Sequence, residues 1–139
     1  QADLNRIWGL QSDVFFTVTR VDSVVNYDLD RSGVMADLEL VSATSAEIDA
    51  ISGGARSSGV DFNMYFVNSM EVPEALTLGN EVWIQDSHLG TTGYVAAHET
   101  GHLLGRVGHS ADLLDLMFGA DNGSSPCEIR RAEWNLVNP

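Results

Sequence analysis

Apolar residues recur with helical spacing at the start of the chain. Leu4, Ile7 and Trp8 stand at i, i+3 and i+4, which predicts a short amphipathic helix. Residues 14–21 are dense in β-branched and aromatic side chains and predict a strand. Residues 22–41 carry no decisive period. Thr44-Ser45-Ala46-Glu47 has the form of a capping box ahead of Ile48 and Ile51, so a helix is expected there, stopped by Gly53-Gly54. Phe62, Met64 and Phe66 alternate with Asn63, Tyr65 and Val67, the period of a second strand, and residues 82–85 predict a third. A Gly, Ser and Thr loop at 87–93 leads into a helix from about Thr92 to Leu104, closed by Gly105. After a loop at 118–125, the last helix has Ser125 as its N-cap, Pro126 in first position and Glu128 three residues after the cap. Ile129, Ala132 and Leu136 share its inner face. Strands and helices are mixed, so the expected class is α+β, a small sheet with helices packed on it.

Composition narrows the class. A chain of 139 residues without internal repeats predicts a single domain over 1–139. Twenty acidic residues, seven arginines and no lysine give a net charge of −13. That surface repels phosphate backbones, which speaks against nucleic-acid partners, and it attracts divalent cations. No apolar run reaches the roughly 18 residues of a membrane helix. Neither end has the charged-then-apolar form of a signal peptide, so an exported protein is expected here in its mature or trimmed form. The single cysteine, Cys127, has no partner for an internal disulfide and reads as a small residue half buried on a helix.

Chemistry concentrates at His98-Glu99-Thr100-Gly101-His102, an H-E-x-x-H pattern. On a helix, positions i and i+4 lie one above the other, so both imidazoles can reach one ion at about 2.0–2.1 Å. Glu99 lies about 100° round the axis from His98. It is placed to contact a water on the metal rather than to join the ligands, and so reads as a general base. Zinc lowers the pKa of such a water to about 7 and polarises a scissile carbonyl. The alternative is a helix with two incidental histidines. Against it stand the small apolar residues ahead of the motif, Tyr94-Val95-Ala96-Ala97, which mark a buried helix where a charged glutamate needs a purpose. A catalytic zinc takes three protein ligands and keeps one open position. His109 is the nearest further histidine, and Gly105 can end the helix sharply so that the chain turns back toward the metal.

The segment HETGHLLGRVGHSADLLDLM, residues 98–117, resembles the metzincin clan of zinc endopeptidases and its matrixin-like group. The clan pattern is H-E-x-x-H-x-x-G-x-x-H followed by a methionine turn. His98, Glu99, His102 and Gly105 match it, Ser110 follows the third histidine, and Met117 stands eight residues after His109, with Leu116 before it. The resemblance implies a metzincin-like domain whose upper part runs to about residue 108 and whose lower part is about 109–139. It implies a zinc ion held by His98, His102 and His109, Glu99 as the catalytic base, Gly105 and Met117 as structural residues, and Met117 lying beneath the metal. It also implies an extended peptide or protein substrate added as a β-strand to an edge strand near 82–86, and an extracellular or secreted location. Three residues, Arg106, Val107 and Gly108, separate Gly105 from His109, where the clan has two, so Gly108 occupies the expected ligand position. A one-residue bulge seats His109; otherwise Asp112 or Asp115 ligates. A thermolysin-like arrangement would instead draw on Glu128 or Glu133. The clan's tyrosine after the methionine, its wall segment and the structural-zinc loop of matrixins have no counterpart.

Two features lie outside that pattern. Asp28-Leu29-Asp30-Arg31-Ser32-Gly33, with Glu39 at position twelve, fits a calcium loop with Asp28, Asp30, Ser32 and Glu39 as oxygen ligands. The β-branched flank before it reads equally as a polar turn between strands. His88 sits in the loop before the motif helix, a surface histidine or one at a cleft rim. The competing functions are therefore a zinc endopeptidase, a peptidase-like zinc-binding domain without turnover, and a calcium-binding module with an incidental H-E-x-x-H.

Overall fold

A computed structural model describes residues 1–21, 46–67, 70, 75–85, 92–105, 108–118 and 129. The chain divides into two compact units, one of Gln1–Val18 with Gly90–Pro139 and the other of Thr19–Leu89. Secondary structure is mixed α and β, as the alternation of periods predicts.

The first unit opens with a helical stretch made of α1 (Ala2–Leu4), a π-helical turn (Asn5–Gly9) and α2 (Leu10–Ser12). The predicted apolar stripe is buried: Leu4 is 7% exposed, and Ile7 and Trp8 are 1% exposed. Asp13, in the left-handed conformation at φ 61, ends the stretch, a place where a short polar side chain is tolerated. The strand expected over residues 14–21 is absent among the described residues, and Phe15, Val18 and Val21 are exposed. The physical reason is local. The Asn5 side chain accepts the Phe16 N–H at 2.7 Å and donates to the Phe16 carbonyl at 3.1 Å, so a side-chain amide stands where a strand neighbour would. Helix α4 (Thr92–Leu103) is the unit's other regular element among the described residues. Its inner face is small, with Ala96 and Ala97 buried, and the Trp8 indole N–H donates to the Ala97 carbonyl at 3.0 Å.

In the second unit, α3 (Ala46–Ala55) packs Ile48 and Ile51 into one core with Tyr65, Val67, Met70 and Trp83. The helix runs past Gly53-Gly54 to Ala55, and Arg56 N–H still bonds to the Ser52 carbonyl at 3.2 Å. Glycine lowers helix propensity without forbidding the helical conformation, so the expected stop at the pair does not occur. The residues of the capping box before Ala46 lie outside the described ones.

Three strands follow: β1 (Asn63–Val67), β2 (Ala75–Leu78) and β3 (Glu81–Gln85), in the order β1-β3-β2. β1 lies parallel to β3, with Met64 opposite Val82, and β2 lies antiparallel to it, with Leu78 opposite Glu81. Gly79, at φ 58, supplies the positive φ that the two-residue hairpin Gly79-Asn80 requires. This overturns the substrate-binding edge expected near 82–86. β3 is the central strand, hydrogen-bonded on both sides, and has no free ladder edge to offer a peptide. Val82, Trp83 and Ile84 are accordingly fully buried, and Trp83 stacks on Tyr65 with ring centroids 4.3 Å apart. Glu81, also buried, is held by the Ser52 hydroxyl at 2.5 Å and by Arg56, whose Nε stands 3.6 Å away.

No helix among the described residues is long and apolar enough to cross a membrane.

Candidate metal centre

α4 places His98 and His102 one turn apart, with ring centroids 5.0 Å from each other. Gly105, at φ 96, ends the helical run, as its position after the last apolar residue predicts. Beyond it, His109 returns to the pair, its ring 5.2 Å from His98 and 5.1 Å from His102. The three rings form a nearly equilateral triangle, and one nitrogen from each lies within 4.8 Å of the others. The one-residue offset from the clan spacing does not keep His109 away from the other two.

The loop from 108 to 118 is built by its own polar groups. Ser110 N–H bonds to the Met117 carbonyl at 2.7 Å, closing a short parallel bridge between Ser110 and Phe118. Asp112 Oδ1 accepts the Leu114 N–H at 3.0 Å, and Asp115 Oδ1 accepts the Met117 N–H at 2.9 Å. Both aspartates thus build turns, and neither belongs to the three-ligand group found among the described residues. Met117 is fully buried, its sulfur against Gly101 of α4, where a Cβ would collide with it. That close approach is the packing reason for a glycine inside the motif.

The Leu116 carbonyl lies 2.8 Å from His98 Nδ1. A carbonyl can only accept, so Nδ1 carries the proton and Nε2 is the nitrogen left to ligate. Burial pushes the His98 pKa below the ordinary histidine range, against the opposing pull of the Leu116 bond. A neutral imidazole is the form a metal requires. Burial falls away across the triad: His98 and His102 are half-buried and His109 is exposed, so the group is open to solvent on one side. Glu99 is only 7% exposed, beside His98 on the same helix.

The donor set fits zinc. Two nitrogens on one tetrahedral ion at about 2.0–2.1 Å stand about 3.3 Å apart, so a small inward closure of the three rings completes a ligand set of three imidazoles.

Compared with family models, curated proteins and solved structures, the chain matches none. The resemblance to metzincins therefore stands on residues 98–117. The candidate calcium ligands Asp28, Asp30, Ser32 and Glu39 lie outside the described residues, as do His88, Cys127, Glu128, Glu133 and, apart from Ile129, the segment where the last helix is expected. Sequence reasoning missed two contributors. In the sequence Trp8 shows only as part of the apolar stripe of the first helix, with no sign that it bonds to α4. Leu116 shows only as the neighbour of the methionine, although its carbonyl holds His98.

Proposed function

We propose that this protein is a zinc-dependent endopeptidase of the metzincin type. The observation that carries the reading is the convergence of His98, His102 and His109 with a nearly buried glutamate next in sequence to the first of them. His98, His102 and His109 would hold the metal. Zinc in that position supplies Lewis acidity, which acidifies a water and polarises a peptide carbonyl. The Glu99 carboxylate takes a proton from the attacking water and delivers it to the leaving amine nitrogen, work that suits a carboxylate largely shielded from solvent. The Leu116 carbonyl keeps His98 in one tautomer and one orientation throughout. The substrate class is peptide or protein, and an extracellular site of action agrees with this chemistry.

The test joins metal analysis to a casein assay with and without chelator. About one zinc per chain is expected, with hydrolysis lost on chelation and restored by zinc. Glu99→Ala should keep the zinc and lose turnover by about 10²–10⁴-fold, the usual worth of general acid–base catalysis. Wild-type protein that takes up no zinc, or a Glu99→Ala enzyme within tenfold of wild type, would overturn the reading.

A further inference from the structure

We infer that Asp115 is a positioning residue that reaches the metal centre through one peptide group, in a carboxylate–peptide–histidine relay. The inference rests on reading the three histidines as a zinc site. The peptide joining Leu116 to Met117 is engaged at both poles. Its N–H donates to Asp115 Oδ1 at 2.9 Å, and its C=O accepts from His98 Nδ1 at 2.8 Å. These are the two ends of a single amide dipole. A carboxylate at the N–H end draws that proton toward itself and moves electron density onto the oxygen, because linked hydrogen bonds polarise one another. The Leu116 oxygen becomes a stronger acceptor, and an imidazole whose N–H is held more strongly is a better donor at its other nitrogen. Metal-ligating histidines often meet a carboxylate directly; here a peptide stands between the two.

Two further observations separate this role from simple turn capping. Asp112 makes the same kind of contact two residues ahead, to Leu114 N–H at 3.0 Å, and does so exposed to solvent. Asp115 is 2% exposed. A carboxylate so shielded from water acts through the groups it meets, and one of them is the peptide that holds His98. The same segment also reaches the third ligand. The Met117 carbonyl accepts the Ser110 N–H at 2.7 Å, immediately after His109, so the peptides on either side of Met117 secure His98 and the neighbour of His109 together.

Asp115→Asn keeps an oxygen acceptor and removes the charge, Asp115→Ala removes both, and Asp112→Asn is the surface control. Zinc affinity is measured on the full chain by competition with a chromophoric chelator. The His98 Nδ1–H resonance is followed by NMR in the metal-free protein. Asp115→Asn should melt close to wild type, bind zinc about tenfold more weakly and shift that resonance upfield. Asp115→Ala should weaken zinc by about a hundredfold, the upper end for outer-sphere partners. Asp112→Asn should change neither readout. Asp115→Asn with wild-type zinc affinity and an unmoved resonance would reduce Asp115 to a turn cap and overturn the relay. If the wild-type chain binds no zinc yet the resonance moves, the relay stands and the zinc reading fails.

Discussion

Helices α3 and α4 are of similar length and both carry glycine, yet they bury opposite kinds of surface. α3 places Ile48 and Ile51, each 4% exposed, into a core of large side chains, and its Gly53 is exposed with no atom near the place of a Cβ. α4 buries Ala96, Ala97, Gly101, Thr100 and Glu99, and its bulk is supplied by others: Trp8 and Met117 press against it. A packing helix holds itself in place with its own apolar area, at about 25 cal/mol per Å². A site helix must keep its face small and polar enough to seat ligands, so its stability is lent by neighbouring segments. Substitutions of equal size should therefore act differently in the two places.

The largest effect is expected on the side of the sheet. Trp83 is fully buried, stacks on Tyr65 and belongs to the cluster that α3 covers. Trp83→Ala should lower the unfolding free energy by about 3–5 kcal/mol, the usual cost of deleting a core aromatic, read as a lowered urea midpoint. A loss below about 1 kcal/mol would show that the ring is not the anchor of the core that α3 covers, and the contrast between the helices would fall.

Gly101→Ala is the matching test in α4. A methyl group there runs into the Met117 sulfur and comes within 3.4 Å of the Trp8 ring. Met117 is fully buried, so its side chain must shift within the core to admit the methyl group. Overpacking of this kind costs about 1–3 kcal/mol, and the gain in helix propensity from Gly to Ala, about 1 kcal/mol, offsets only part of it. Because Met117 and Leu116 belong to one turn, the displaced methionine should also loosen the Leu116 bond to His98 and weaken zinc binding. Unchanged stability and unchanged zinc affinity would show that the contact is soft and that α4 needs no glycine there.

The same contrast explains what the sequence made legible. The helices announced themselves because their signals are local: Leu4, Ile7 and Trp8 at helical spacing, and the H-E-x-x-H run with its closing Gly105. His109 was reachable because histidine is scarce and a glycine precedes it. The sheet was less legible because strand formation depends on neighbours. Residues 14–21 have strand composition, but Asn5 claims the polar groups of Phe16. β2 was missed since its four residues are all half-buried and show no alternation; the Gly79-Asn80 pair between two short apolar runs was the available signal. The edge near 82–86 was implied by the resemblance alone, and β2, pairing with β3, removes it. From the sequence Asp115 is visible only as a candidate ligand, because nothing in a sequence tells which backbone N–H a carboxylate will find.

The smallest effect should have the opposite sign. Gly53 lies within α3, two residues before its end at Ala55, is exposed, and has no heavy atom within 4 Å of where a Cβ would stand. Its φ is not among the positive values, so alanine can take the same backbone conformation. Nothing is gained in the folded state except a methyl on the surface. The benefit arises in the unfolded chain, where alanine has less backbone freedom to lose. Gly53→Ala should stabilise by about 0.5–1 kcal/mol, seen as a small rise in the melting temperature, with zinc affinity and turnover unchanged. Set beside Gly101→Ala, one chemical change is then stabilising in the packing helix and destabilising in the site helix. If Gly53→Ala instead destabilises, that face of α3 does not accept a methyl group, and the contrast between the two helices falls.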